Sequence, residues 1–317
     1  TIWQQYIDDE LPAATTDGER TAAIQGALDL VPTQGYRLLA VPTLRVPFGT
    51  WQLAAADGVC LRVRDNQPVR LDLDGAALLV PPSSTGVLVE SGAQHSAISH
   101  GTIAGLDATQ SSGTGVRLEA ACCEVDRVLV RELGTGLHLY GPADGIHNTD
   151  GAQVTKLRSH YCDVGIHVEG GDANGGCFVG CVILGGRIGI LDSSHLGNAH
   201  IGHQIHSTAE HAIKCTEPAN HSTYCGTYIE GDCGGAGGTP TVQSQAYVTW
   251  VGGQAIAYIT IGDRLGLGIS RIGFRDTLPN GDEVEVSIPR GAGWTAIHMQ
   301  RTRAGALVEA HVLRWVD

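Results

Sequence analysis

Residues 165–171 read GIHVEGG. Close copies stand at 86 (GVLVE), 115 (GVRLE) and 136 (GLHLY), and looser ones at 188 (IGIL) and 212 (AIKC). Apolar and polar letters alternate inside the word. In an extended strand, Ile166 and Val168 therefore face one side, and His167 and Glu169 the other. The anchors Gly86, Gly115, Gly136, Gly165, Gly189 and Ala212 lie 29, 21, 29, 24 and 23 residues apart. Unequal repeats of this size suit a solenoid whose turns carry loops of varying length. Each anchor strand is followed by a second β-rich run, such as CEVDRVLVRE or AQVTKLRSHY, and no helical period fits between them. Short strands, glycine at the corners and one turn per repeat predict a parallel β-helix. Its stacked turns would lie about 4.8 Å apart.

The flanking segments complete the plan. In DGERTAAIQGALDLV, Ala23, Ile24, Ala27 and Leu28 recur at helical spacing behind polar capping residues. This predicts an amphipathic helix over the open end of the first coil, where apolar side chains and strand edges would otherwise meet water. Residues 1–14 read as an N-terminal arm, and 15–235 as the β-helix. The Gly-rich CGGAGGTP at 233–240 marks a boundary. Beyond it, alternating runs and the Asn-Gly of LPNGDE predict antiparallel strands in a small β-sandwich-like or barrel-like domain, residues 236–317. The fold class is thus all-β, with one capping helix.

TDGERTAAIQGALDL followed by VPFGTWQL resembles the start of pectate-lyase-like right-handed parallel β-helix proteins, with Trp51 in place of a usual Tyr. That superfamily includes polysaccharide lyases, polygalacturonases and phage tailspikes. The resemblance spans about residues 15–233 as architecture and implies a fold more than an activity. HNTDG at 147–151 resembles the Asn-Thr-Asp-Gly motif of polygalacturonase-type hydrolases, which would make Asp150 an acid or base. The rest of that pattern is missing: there is no paired Asp-Asp, the nearest downstream aspartate being Asp163, thirteen residues on, and RIG at 187 lacks the family's Lys. The alternative is that Asn148, Asp150 and Gly151 simply form a turn.

Composition narrows the partners. A net charge of −13 offers no basic face for nucleic acid. No apolar run is long enough for a membrane helix, and no signal peptide is visible. Nine cysteines without a CxxC pair read as small buried thiols made in a reducing cytosol. Cys177 and Cys181, four apart, would share a strand face. His200 and His203 form an HxxH that would not share one, so no metal and no cofactor is expected.

Aligned anchors give outward columns. One reads Leu88, Arg117, His138, His167 and, past a poorly aligned coil, Lys214. The next reads Glu90, Glu119, Tyr140, Glu169 and Thr216. Such a strip suits a linear polysaccharide. Glu119 and Glu169 would sit two rungs apart, roughly 9–10 Å, near the separation used by inverting glycosidases. β-Elimination is the alternative, with Arg117 neutralising a uronate, His138 or His167 as base and Tyr140 as acid. Plain solvated surface is the remaining reading of the strip. In TYIEGDCGG, Tyr228, Glu230 and Asp232 share a face by parity, as a sugar pocket or as the last coil. Three functions follow as expectations. The first is a tailspike-like, homotrimeric receptor-binding protein that binds bacterial surface polysaccharide, with depolymerisation left open, attached to a virion through its N-terminal arm. The second is a secreted monomeric lyase or glycosidase. The third is an inert or adhesive virion fibre.

Overall fold

The structure, a computed structural model, describes residues 1–31, 41–107, 112–144, 146–217, 219–230 and 233, and the backbone of strands between Val242 and Trp315. The chain is a right-handed parallel β-helix behind a pair of N-terminal helices. Each coil lays down three short strands, one in each of three parallel sheets. The coil that holds Arg117, for instance, runs Ala97–Ser99, Thr102–Gly105 and Thr114–Leu118. The first and third sheets each stack nine strands in chain order.

Alternation within each strand builds the core. Val116, Leu118, Leu137, Leu139, Ile166 and Val168 point inward from the third sheet and are fully buried. Their neighbours Arg117, His138 and His167 point outward. The recurrent glycine has a separate cause. A Cβ on Gly115, Gly136 or Gly165 would lie 2.7, 2.6 and 2.6 Å from the carbonyl oxygen of the next anchor up the stack. These three positions tolerate no side chain, so the letter repeats there; Ala212 ends the run.

The corners are tighter than glycine content alone suggests. A single left-handed residue turns the chain from the first sheet to the second. That residue is glycine in later coils (Gly180, Gly202, Gly226), but His100, Arg127 and Lys156 in earlier ones, with φ of 58°, 52° and 52°. Such conformations cost of order 1 kcal/mol or more each for non-glycine residues. Interstrand bonding offsets the cost: Arg127 N–H donates to Thr155 O at 2.9 Å and Lys156 N–H to Val179 O at 2.8 Å.

Helix α1 (Ile2–Ala13) shows that the expected arm is also helical. It buries Ile7 and Leu11. Its apolar letters are few, which is why it reads as an arm. Helix α2 (Asp17–Asp29) begins with a capping box between Thr16 and Glu19 and buries Ala23, Ile24, Ala27 and Leu28. Tyr6 of α1 packs onto Gly26 of α2. Both helices also close strand edges. Gln25 accepts from Arg62 N–H (2.8 Å) and donates to Arg62 O (3.1 Å). Gln4 does the same at Arg45, at 2.8 and 2.9 Å. Each amide replaces a missing strand at the bottom of a sheet, which blocks edge-to-edge association.

At the other end, parallel stacking continues past residue 235. Val242–Ser244, Thr249–Val251, Gln254–Ala255 and Ile259–Ile261 each pair with the preceding coil. Alternation alone cannot tell parallel from antiparallel pairing. Arg271–Thr277, Glu283–Gly291, Trp294–Arg303 and Ala306–Trp315 then form an antiparallel meander, linked to the second sheet at Ala255 and Phe274. The Asn280-Gly281 turn and Asp232 lie outside the described residues.

The nine cysteines are free. Burial pushes the Cys60, Cys123 and Cys181 thiols up to about 12, as expected of inert core thiols. Cys177 and Cys181 do not share a face. Gly180, at φ 62°, reverses the parity between them, leaving Cys177 half-buried and Cys181 inside. No helix among the described residues is long and apolar enough to cross a membrane.

Candidate functional site

The outward column of the third sheet has the register expected for its first four members. Leu88 pairs with Arg117, Arg117 with His138, and His138 with His167. Leu191 follows before Lys214, filling the coil that the sequence leaves unaligned. In the adjoining column Tyr140 pairs with Glu169. Residues up to 52 positions apart, Arg117 to Glu169, therefore share one patch.

The side chains are in contact. The His138 and His167 rings stack with centroids 4.6 Å apart and planes 4° from parallel. His138 Nε2 lies 2.8 Å from Glu169 Oε2. The Arg117 guanidinium sits over the Tyr140 ring, 4.2 Å from its centroid, a cation–π contact. Arg117 Nε is 2.7 Å from Glu119 Oε1 but out of line with its N–H, so this is an ion pair rather than a hydrogen bond. Burial and the neighbouring His167 hold the His138 imidazole down at about 4, although Glu169 opposes them. Burial also lowers His167. Both rings are therefore neutral at pH 7.

One wall of the patch escapes a reading by repeat alone. The segment after Tyr140 folds back so that Asn148 N–H donates to Glu119 O at 3.2 Å. This brings His147 edge-on to Tyr140, with ring centroids 5.4 Å apart, and its Nε2 to 3.6 Å from Glu119 Oε2. Asp144 Oδ2 holds His147 Nδ1 at 2.6 Å. Hydrogen bonds from His147, main-chain and ring, and from the Ile146 main chain keep the Asp144 carboxyl down at about 2. The motif HNTDG draws the eye to its Asp; the residue that reaches the patch is its His.

Asp150 takes the turn role. Its N–H donates to Asn148 Oδ1, its Oδ1 accepts from Asn174 N–H, and its carbonyl accepts from Cys122 N–H. The bonds to Asn174 and Cys122 tie successive coils together. Tyr228 and Glu230 lie elsewhere as well, on and just beyond the second sheet. There His206 joins them, 2.5 Å from Glu230 and 5.8 Å between ring centroids from Tyr228.

A second polar cluster sits inside the solenoid. Asp192 occupies the inward position stacked on Val168 and is fully buried. Ser194 and Ser222 hydroxyls donate to it at 2.6 and 2.5 Å, and His200 Nε2 approaches to 3.7 Å. His200 Nδ1 faces His203 Nε2 at 3.2 Å. His203 Nδ1 accepts from Cys181 N–H, so its Nε2 carries the proton and His200 Nδ1 accepts. The His200 ring is sandwiched between Phe178 and Tyr224, centroids 4.6 and 4.5 Å away. The expectation that HxxH would split across two faces fails for one reason. Gly202, at φ 65°, turns the chain between the two histidines, so both point inward.

Comparison of the chain with family models, with curated proteins and with solved structures finds no match in any of the three.

Proposed function

We propose that the protein binds a polysaccharide along the outward strip of its third sheet, in the manner of a tailspike-like receptor-binding protein for bacterial surface glycan. The observation that carries this reading is the continuous contact among Arg117, Tyr140, His138, His167 and Glu169, drawn from three successive coils. A linear row of donors, acceptors and one aromatic face matches a linear, hydroxyl-rich ligand. The parallel β-helix is compatible with polysaccharide-binding and polysaccharide-degrading proteins, and the pectate-lyase-like character of the N-terminal motif points the same way. The test is incubation with a panel of capsule and lipopolysaccharide preparations. Retention of at least one glycan supports the proposal, and none across the panel removes it.

Cleavage is the second reading, favoured by neutral His138 in contact with Glu169. Glu119 is less suited to an acid–base role than its spacing suggests. It is 13% exposed and committed to Arg117 and His147. Elimination through His138 thus fits the contacts better than a two-carboxylate hydrolysis through Glu119 and Glu169. Rising absorbance of unsaturated uronate identifies elimination, and new reducing ends without it identify hydrolysis. A homotrimer on a virion extends the proposal. Since α1 is part of the cap, attachment would use the outer face of the helix pair rather than a free arm. Light scattering distinguishes that trimer from a monomeric secreted enzyme.

A further inference from the structure

The pairing register brings together two imidazoles and one carboxylate that share no sequence motif. Potential ligand atoms of His138, His167 and Glu169 all lie within 4.8 Å of one another. The Glu169 oxygen sits 2.8 Å from His138 Nε2 and 4.0 Å from His167 Nδ1. We infer that His138, His167 and Glu169 form a binding site for a divalent ion of the zinc, cobalt or nickel class.

The donor set supports this. Two neutral imidazoles and one carboxylate make a three-ligand site that leaves an outward position for water or a ligand oxygen. Metal–ligand bonds of about 2.0–2.2 Å need donor atoms roughly 3–3.5 Å apart. The carboxylate is already close enough to one ring, and ring rotation brings in the other. Glu169 is 42% exposed, so its carboxylate is free to follow the turning ring. Arg117, one rung below, is charge-balanced by Glu119, which leaves Glu169 to offset the ion. Ligand spacing along the chain gives no hint of the site. The ligands recur across coils, 29 residues apart for the two histidines.

A consequence rests on the glycan reading. A chain of net charge −13 attracts no anionic sugar by itself. A bound dication at the strip would supply the missing positive centre for a uronate or other acidic residue. The ligand class then narrows to acidic polysaccharide.

The metal site is tested with metal alone, so its outcome is independent of any glycan. Full-length protein is stripped with chelator and titrated with zinc by calorimetry and with cobalt(II) by visible absorption. One equivalent should bind, and bound cobalt should show the visible bands of a site of low coordination number. His138→Asn, His167→Asn and Glu169→Gln should each weaken binding by more than the ~10-fold typical of losing even an outer-shell partner. Glu169→Gln changes an exposed residue and keeps its shape, so it reports even if a histidine variant fails to fold. His206→Gln, which removes a histidine–glutamate pair on another face, should leave binding unchanged. No binding, or binding indifferent to the three ligand variants, overturns the site.

Discussion

His138 and His167 are 29 residues apart in the chain and lie ring on ring, 4.6 Å between centroids. The separation is close to the interstrand spacing of about 4.8 Å, as it must be when each ring stands straight out from its own coil. Nothing local specifies this pair. It exists because Gly136 and Gly165 stack, which fixes the register of the two strands.

That register can be attacked directly. A methyl group on Gly136 would meet Gly165 O and Ser159 Oγ, each at 2.6 Å. Gly136→Ala should therefore destabilise by roughly 1–3 kcal/mol, the usual penalty for overpacking. Gly175, with φ 62° and nothing within 4 Å of its notional Cβ, is the control. Gly175→Ala should cost only the backbone term, about 1 kcal/mol. Urea denaturation of the two variants checks the order.

The glutamine caps predict an association phenotype. Gln25→Ala leaves the N–H and C=O of Arg62 unpaired at the first strand edge. Loss of about 1–3 kcal/mol is expected from unsatisfied backbone groups, with concentration-dependent association through the opened edge. Thermal melts and sedimentation at two concentrations measure both effects.

Acid should unfold the coil interior. Burial, helped by the neighbouring His200, holds the His203 imidazole down at about 3. The unfolded chain protonates this ring below its ordinary value near 6.5 while the native state does not. Stability from His203 is thus complete above pH 6.5 and falls as pH drops toward 3, by up to roughly 1.4 kcal/mol per pH unit. Asp192 acts lower. Burial alone would raise its carboxyl, but the approach of His200 and hydrogen bonds from Ser194 and Ser222 hold it below its ordinary value. Its contribution is lost only below about pH 4. Denaturation midpoints should therefore fall steadily between pH 6.5 and 4, and His203→Gln should flatten that slope.

Much of this architecture is legible in the sequence. The anchor glycines give the stacking, and parity gives the inward and outward sets, so the strip from Arg117 to Glu169 follows from the letters alone. Three things are not legible, each for a physical reason. His147 enters from an irregular segment whose course depends on a backbone bond to Glu119. Asp192 sits at a core position because Ser222, 30 residues on, satisfies its carboxylate, and parity alone cannot foresee that partner. Non-glycine residues at left-handed corners hide the turns in early coils, so the exchange of faces at Arg127 or Lys156 leaves no letter to read.

The proposed function depends most on the strip being a ligand surface. Calorimetric titration of the best-retained glycan from the surface-polysaccharide panel tests it directly. Arg117→Ala and Tyr140→Ala should each weaken binding by about tenfold or more, since each removes one well-packed polar or aromatic contact worth about 1.4 kcal/mol or more. Arg187→Ala, in an ion-pair network with Asp163 and Glu210 outside the strip, should leave affinity unchanged. If the strip variants bind as the native protein does, or if Arg187→Ala alone abolishes binding, the strip is solvated surface and the proposed function is wrong.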